Sequence, residues 1–252
     1  MSPKEAPPDA FGRTAREYEL GRPGWPEVLL DQVIAELGLE PAAAVLDLGA
    51  GTGKLTRELV SRFARVIAVE PDDAMRAVLE EVVPGAEALA GRGDAIPLED
   101  ESVDAVFSAE AFHWFATDES IAEIVRVLRP RGALVIFWNI PVEFAHLGDE
   151  AEAVIDEAFE RGGVPGLPRV LSGEWRQPIE DGLFEELREA EVEREILNTR
   201  DEWIANLLSV SSIAHQPEED RAALASRLRE LVPADREVSR RIRTVAHWTR
   251  RV

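Results

Sequence analysis

The 252-residue chain contains no cysteine, which excludes disulfide bonds and metal sites built on thiolates. It also has no apolar run near the ~18 residues of a membrane-spanning helix. The longest candidate, Ala133 to Trp138, has the length of a strand. The opening segment, MSPKEAPPDA, is polar and rich in proline, and it lacks the apolar core of a secretory signal. We therefore expect a cytoplasmic protein that does not enter a membrane.

Positive charge is scarce as well, because 28 lysines and arginines face 49 aspartates and glutamates. The formal net charge of -21 repels a phosphate backbone, so nucleic acid is not an expected partner. The most basic segment, Arg236 to Arg251, alternates with apolar residues and fits a strand that pairs with acidic neighbours. No group of histidine, aspartate and glutamate has ligand spacing on one element, so no metal is expected.

The stretch from Ala43 to Gly53 organises the rest of the chain. An apolar run is followed by three glycines at alternate positions, Gly49, Gly51 and Gly53, and then by a helical pattern. This order predicts a strand, a glycine turn and a helix. Such an arrangement brings bare backbone and helix amides close to a ligand, here a nucleoside.

Two common nucleotide motifs fit this stretch poorly. A phosphate-binding P-loop would need glycine at Leu48 and serine or threonine at Leu55. The dinucleotide motif G-x-G-x-x-G, started at Gly49, would need its third glycine at Lys54. The spacing therefore disfavours a nicotinamide-dependent oxidoreductase, which is the least favoured of the three functions considered below.

Predicted strands and helices alternate along the first half of the chain. Each predicted strand is a continuous apolar run, which is typical of a parallel sheet buried on both faces and joined by right-handed crossovers. The strands are expected at 44–48, 65–69, 86–90, 102–108 and 133–138, and the helices at 27–39, 55–63, 71–82 and 119–128. The chain is therefore expected to be an α/β protein.

Two acidic residues follow predicted strands and suit a nucleoside. Glu70 ends the second strand about twenty residues beyond the first glycine, where a carboxylate can accept both ribose hydroxyls. Asp94 lies in the loop after the third strand and could accept from an adenine amino group, with Ile96 and Met75 against the ring faces. The alternative for each carboxylate is a structural one, a helix cap at Glu70 and an ordinary turn at Asp94.

Two segments rich in aromatic residues complete the candidate site. Phe11 to Pro26 contains Tyr18, Arg22 and Trp25, and its prolines prevent a long helix. It is either a short helix packed on the domain edge or a lid over the ligand. Ala109 to Phe115 follows the fourth strand, at the edge where open α/β sheets bind ligands. Its His113 is a candidate base, or else a packing residue among aromatic neighbours.

Four motifs together resemble the class I S-adenosylmethionine-dependent methyltransferases over about residues 40 to 140. They are Asp47-Leu48-Gly49-Ala50-Gly51-Thr52-Gly53, Glu70-Pro71, Gly93-Asp94 and Arg126 to Gly132. The flanking R-P-G-W-P, A-F-H-W-F and W-N elements resemble the small-molecule branch, which includes trans-aconitate methyltransferase-like proteins and quinone-biosynthesis methylases. Arg131 stands where that family usually has glycine.

The resemblance implies a Rossmann-like fold, with a seven-stranded, mostly parallel sheet, helices on both faces and the last strand antiparallel. It implies S-adenosylmethionine as the cofactor and S-adenosylhomocysteine as the product, with the N-terminal segment lying over the cofactor. The expected cofactor-binding residues are Tyr18, Arg22, Asp47, Gly49, Ala50, Gly51, Gly53, Glu70, Pro71, Met75, Asp94, Ala95, Ile96 and Ala109. The expected acceptor-binding residues are Arg13, Arg22, Trp25, Phe112, His113, Trp114 and Asn139.

Four segments are expected along the chain. They are an N-terminal lid and helix (1–40), the cofactor-binding core (41–140), a helical cap insertion on the substrate side (141–190) and a C-terminal part that completes the sheet (191–252). The cap is expected to hold a helix at 148–161 and a loop at 162–168. The last part is expected to supply strands at 191–197 and 238–252.

The leading hypothesis is methyl transfer to a small organic acceptor, such as a carboxylate. A carboxylate acceptor needs no base, whereas a hydroxyl or an amine must lose a proton. Because the protein is acidic overall, local cations would have to hold an anionic acceptor, and Arg13 and Arg22 are the nearest candidates. The alternative from another class is a protein that binds the cofactor without turnover.

Overall fold

The computed structural model describes residues 14–143, 146–162 and 166–252. Its centre is a seven-stranded sheet with the order β3-β2-β1-β4-β5-β7-β6. The strands are β1 (Ala44–Leu48), β2 (Arg65–Val69), β3 (Glu87–Leu89), β4 (Val103–Ala109), β5 (Leu128–Glu143), β6 (Arg188–Thr199) and β7 (Glu237–Arg250). The first five strands pair in parallel, and β7 runs antiparallel to both β5 and β6. The expected Rossmann-like α/β fold, with an antiparallel last strand, is confirmed.

Helices cover both faces of the sheet. They are α1 (Ala15–Gly21), α2 (Glu27–Glu36), α3 (Lys54–Val60), α4 (Asp73–Val82), α5 (Asp118–Val127), α6 (Asp149–Gly162), α7 (Gly166–Ser172), α8 (Arg200–Leu208), α9 (Ser211–Ala214) and α10 (Glu218–Leu231). None of the helices in the described ranges has the length and apolar character needed to cross a membrane.

Alternation along β1 divides the core into two layers, because neighbouring residues of a strand point to opposite faces. Val45 packs with Leu30 of α2 and Leu59 of α3. Leu46 packs on the other face, with Ile121 of α5. The continuous apolar run at this strand therefore arises from burial on both sides.

The start of α4 differs from the expectation that Pro71 lies in its first turn. Asp72 caps this helix, since its Oδ1 accepts from the backbone N–H groups of Ala74 and Met75, each at 2.9 Å. A carboxylate at the cap accepts hydrogen bonds from backbone N–H groups that have no partner inside the helix. Its negative charge also interacts favourably with the positive end of the helix dipole. Pro71 precedes the cap and stays in the loop that leaves β2.

The insertion after β5 is helical, as expected, although its bounds differ. The strand β5 continues to Glu143 because β7 pairs along its whole second half. Gly166 begins α7 inside the stretch expected to be a loop. Ala151 and Ala158 of α6 pack with Ile204 of α8 and Leu228 of α10 in a third core. The helix α6 is therefore held against α8 and α10, and the two helices α6 and α8 wall one cavity.

Candidate active site

Two cavities lie beyond the carboxyl ends of the parallel strands. The first has a volume of about 850 Å³ and is lined by the β1 turn, the end of β2 and the loop after β4. The second has a volume of about 620 Å³ and lies between the sheet, α6 and α8. Tyr18 and Glu110 line both cavities. The two spaces therefore meet at these two side chains.

The glycine turn after β1 exposes its backbone to the first cavity. Gly49 and Gly51 have φ values of 75° and 56°, which L side chains rarely adopt. A Cβ at Gly49 would approach Ala111 Cβ at 2.6 Å. Glycine is therefore needed here both for the turn and for the close approach of the loop after β4.

Glu70 is fixed at the end of β2, where the motif spacing predicts it. Its Oε2 accepts from the N–H of Gly51 at 2.8 Å, and its Oε1 accepts from the N–H of Asp72 at 3.0 Å. Its side chain lines the first cavity although only 8% of the residue is exposed, and burial raises its pKa. Each carboxylate oxygen has a second lone pair for a ligand hydroxyl.

Three of the glycine-motif residues that were expected to bind the cofactor do not line the first cavity. Asp47 is buried behind the turn, where its Oδ2 accepts from Thr56 Oγ1 at 2.6 Å, and burial raises its pKa to about 7. Ala50 packs in the core with Leu79. Gly53 begins α3, and a Cβ there would contact Leu79 at 3.1 Å. These residues hold the turn in place, so the structure gives them a structural role instead of the expected contact with the cofactor.

The loop after β3 brings one of its expected residues to the first cavity. Asp94 lines it, and Arg92 Nε donates to its Oδ1 at 3.0 Å, which lowers the pKa of the carboxyl. The side chain of Ile96 is buried in the core instead. Ala95 is exposed and does not line the cavity. Met75, as expected, and Phe115 supply apolar wall, with Pro71 and Ala109 also lining this cavity.

The helix α1 lies beside both cavities, in the segment predicted to be a lid. Tyr18 lies at the junction of the cavities, and burial raises its pKa to about 12, so its hydroxyl stays protonated. Arg22 donates to Ser209, from Nε to Oγ at 2.9 Å and from Nη2 to the carbonyl oxygen at 3.0 Å. Its guanidinium lies 5.2 Å from the centre of the Tyr18 ring. Arg22 lines only the second cavity, which corrects its expected place beside the cofactor.

The second cavity is lined by three of the residues expected to bind the acceptor, Arg22, Trp25 and Asn139. Apolar side chains of α6 and α8, including Phe159 and Trp203, form the opposite wall. Arg13, another expected contact, lies outside the described residues. This cavity is therefore closed by elements that are far apart in the sequence.

The aromatic loop after β4 is placed differently from the expectation. Phe112 is fully buried, with its ring 6.3 Å from that of Trp175. His113 is 8% exposed, its Nδ1 accepts from Trp138 Nε1 at 3.2 Å, and burial lowers its pKa to about 3. The ring of His113 is weakly basic and lines neither cavity. These two facts do not support its expected role as a catalytic base. Trp114 lines the first cavity and not the second.

Glu110 is the site residue that sequence reasoning missed. It has a φ of 57°, an uncommon value for a residue other than glycine. Its Oε1 accepts from the N–H of Asn139 at 2.6 Å. Burial raises the pKa of its carboxyl, and the charge of Arg22 opposes that shift. The sequence feature that could have identified Glu110 is its position, one residue beyond β4 at the ligand-binding edge of the sheet.

Several proteins described as methyltransferases resemble this chain. Residues 46–136 match the family described as methyltransferase domain. An uncharacterized methyltransferase-like protein of Schizosaccharomyces pombe is 32% identical over 222 residues, which cover 88% of this chain and 85% of the relative. An uncharacterized methyltransferase of Mycobacterium tuberculosis is 45% identical over 163 residues, which cover 64% of this chain and 63% of the relative. The second match therefore spans less than two thirds of that relative.

The fold has a similar counterpart among solved structures. A candidate type II methyltransferase from Anaeromyxobacter dehalogenans superposes with a TM-score of 0.64 at 26% identity. The superposition covers 91% of this chain and 97% of the other. Together with the relative from S. pombe, which is matched over most of its length, it extends the likeness well beyond the glycine motif. The chain therefore belongs to the family that its motifs resemble, the class I S-adenosylmethionine-dependent methyltransferases.

Proposed function

We propose that this protein transfers a methyl group from S-adenosylmethionine in the first cavity to a small organic carboxylate in the second. The observation that carries the proposal is the junction, where Tyr18 and Glu110 line both cavities. A group that is passed between two bound molecules needs such a shared wall, so that the reacting atoms can approach directly.

The residues of the first cavity fit this cofactor. Gly49 and Gly51 line the cavity with backbone that carries no side chain, and Glu70 would accept the ribose hydroxyls. Asp94 would accept from the adenine amino group, beside apolar wall from Met75. When bound, S-adenosylmethionine supplies a methyl group on a positively charged sulfur and leaves as S-adenosylhomocysteine.

The remaining work of the protein is to position the acceptor and to exclude water. The lid α1 is fixed on α8 through Arg22 and Ser209, and it covers the junction with Tyr18. Arg22 offers positive charge to an anionic acceptor in the second cavity. Burial raises the pKa of Glu110, the direction that favours a neutral carboxyl beside such an acceptor. A binding protein without turnover would need only the first cavity.

Calorimetric titration is the first test. We expect S-adenosylmethionine and S-adenosylhomocysteine to bind, and NAD to give no signal. A screen of small carboxylic acids with radiolabelled cofactor should then find methyl transfer to at least one of them. Binding of NAD alone would overturn the proposal, and cofactor binding without transfer to any acid would favour the role without turnover.

Glu110→Gln separates a carboxylate acceptor from one that must lose a proton. We expect kcat within about threefold of wild type and a KM close to that of wild type, because a carboxylate acceptor needs no base and glutamine matches the size of a neutral glutamic acid. A hydroxyl or amine acceptor that used Glu110 as its base would instead lose about 10²–10⁴-fold in rate. Steady-state kinetics with the acceptor from the screen measure the difference. A loss of that size would contradict the carboxylate.

A further inference from the structure

Some arginines of the strands β6 and β7 pair with a carboxylate, and others do not. Arg243 has a carboxylate partner in Glu191 at 3.7 Å, and Arg241 has one in Glu143 at 2.8 Å. Arg194 and Arg240 have none, because no carboxylate oxygen of the described residues lies within 4.0 Å of their nitrogens. Neighbouring positions of the same ribbon therefore differ in whether their charge is neutralised inside the protein.

Arg194 and Arg240 lie on the same face of the sheet; Arg240 lines the second cavity, and Arg194 contacts it through the lining residue Asn139. In the register of the two strands Arg194 is opposite Ile242, which lines that cavity together with Arg240. Residues that are opposite each other in a β-ladder share a face of the sheet, as do residues two apart on one strand. Arg22 approaches from the lid and lines the same cavity. Arg22 and Arg240 thus line the cavity, from the end of α1 and from β7, and Arg194 of β6 is near enough for its charge to act on Arg240.

The hydrogen-bond partners of these three arginines are all uncharged. Arg22 donates to Ser209, while Arg240 donates from Nε to Asn198 Oδ1 at 3.1 Å and from Nη2 to the carbonyl oxygen of Gly21 at 3.3 Å. Arg194 donates from Nη2 to the carbonyl oxygen of Gly24 and to Asn139 Oδ1. The Nε of Arg194 is buried without a partner. The protein orients these groups without a carboxylate of the described residues in direct contact with any of them.

The proximity of these three charges is electrostatically unfavourable without a ligand. Burial, together with the neighbouring charges of Arg22 and Arg194, lowers the pKa of Arg240 to about 10. Burial also lowers the pKa of Arg194. An anion placed among the three would remove the repulsion and gain charge-assisted hydrogen bonds.

The carboxylates around the second cavity do not replace that anion. Glu143 is exposed and paired with Arg241, and Glu152 accepts from the N–H of Leu147 at the rim. Asp156 is exposed on α6. Glu110 lies at the junction with the first cavity, where only Arg22 of the three arginines acts on its pKa. The remaining lining cation, Lys54, has Glu19 at 3.7 Å.

We propose that Arg22, Arg194 and Arg240 form an anion site that holds a second acidic group of the acceptor, other than the one that is methylated. A carboxylate paired with several guanidinium groups has its lone pairs engaged and is a poor nucleophile. The reacting atom belongs at the junction lined by Tyr18 and Glu110, and neither Arg22 nor Arg240 lines the first cavity. The acceptor is therefore a small dianion, and identifying it as the acceptor rests on the proposed function.

Binding of simple anions tests the site without any methyl transfer. Calorimetry at low ionic strength, with and without S-adenosylhomocysteine, would compare butyrate, succinate, glutarate and phosphonoacetate. We expect the dianions to bind at least about tenfold more tightly than butyrate, since each charge-assisted contact contributes on the order of a factor of ten. Comparing the affinity for phosphonoacetate with the affinities for the two dicarboxylates decides whether the second group is a phosphonate-like anion or a carboxylate. Equal affinity for butyrate and succinate would overturn the site.

Two variants that remove the same charge from one strand provide the control. Arg240→Gln should lose at least about tenfold in succinate affinity, while Arg243→Gln, which removes a paired arginine, should stay within about twofold. Arg240→Gln should also keep or raise the melting temperature of the free protein, because it relieves repulsion. A lower melting temperature with unchanged anion binding would mean that Arg240 is structural. Anion binding without S-adenosylhomocysteine binding would refute the proposed function and leave the anion site standing.

Discussion

Replacing Glu70 with alanine should weaken the binding of S-adenosylmethionine by about a hundredfold or more. Hydrogen bonds to a charged partner contribute about 1.5–3 kcal/mol each, and Glu70 is expected to receive two of them from the ribose. Their sum of about 3 kcal/mol or more corresponds to a factor of a hundred or more in the dissociation constant. The variant also frees the N–H groups of Gly51 and Asp72, which Glu70 now accepts from. Calorimetric titration of the variant measures the loss.

Two further variants separate the ribose contact from damage to the turn. Glu70→Gln keeps the size of the side chain and one carbonyl oxygen, so we expect a smaller loss of about tenfold. Glu87→Ala removes the same charge from the neighbouring strand β3, where the carboxylate faces Arg65 at 3.5 Å on the surface, and should bind normally. Wild-type affinity in a folded Glu70→Ala protein would mean that the cofactor binds elsewhere.

The sheet was predictable where an element is defined by its own sequence. The strand β2 was expected at Arg65 to Val69 and has those bounds, because its apolar run is buried and charged residues flank it. The strand β5 was expected to end near Trp138 but continues to Glu143. Its last three residues, Pro141 to Glu143, are exposed, and pairing with β7 keeps this end of the strand extended. Strand length there depends on a partner more than ninety residues away, which local patterns do not report.

Side-chain direction explains which site residues were predicted well. Glu70 and the glycines Gly49 and Gly51 lie where the chain leaves a strand at the ligand-binding edge, and motif spacing alone locates them. Asp47 lies inside β1 on the same face as Val45, toward α3, so that it reaches Thr56 and not the cavity. The alternation of side chains between the two faces of a strand places Asp47 on this face. A motif read as a linear string does not distinguish the two faces.

The second cavity was predicted least well because it is assembled from segments that are far apart in the sequence. Arg194 and Arg240 come together through the register of β6 and β7, across 46 positions of sequence that contain three helices. Glu110 gains its role from a junction that exists only once α1 lies over the sheet. His113 was plausible from its loop, and its burial against Trp138 became visible only in the packed structure.

Gly21→Ala should release the lid and weaken both cofactor and acceptor binding by about ten- to hundredfold. A Cβ at Gly21 would lie 2.0 Å from the backbone nitrogen of Asn206 and 2.5 Å from the carbonyl carbon of Ala205. Backbone atoms of α8 cannot yield as a flexible side chain does, so α1 must move away. Overpacking of this kind costs about 1–3 kcal/mol or more, which matches that range of affinities. Hydrogen–deuterium exchange of residues 15–22, together with calorimetry, measures both effects.

Gly24→Ala is the matched control, because a Cβ there has no heavy atom within 4 Å outside its chain neighbours. It should leave exchange and binding unchanged. The sheet of Gly21→Ala should still unfold near the wild-type temperature, since α1 packs at its edge and contributes little to the two main cores. Faster exchange confined to α1, with weaker binding, would show that the cavities need a docked lid. Unchanged exchange with weakened binding would instead place the effect of Gly21 in the cavity itself and contradict the lid.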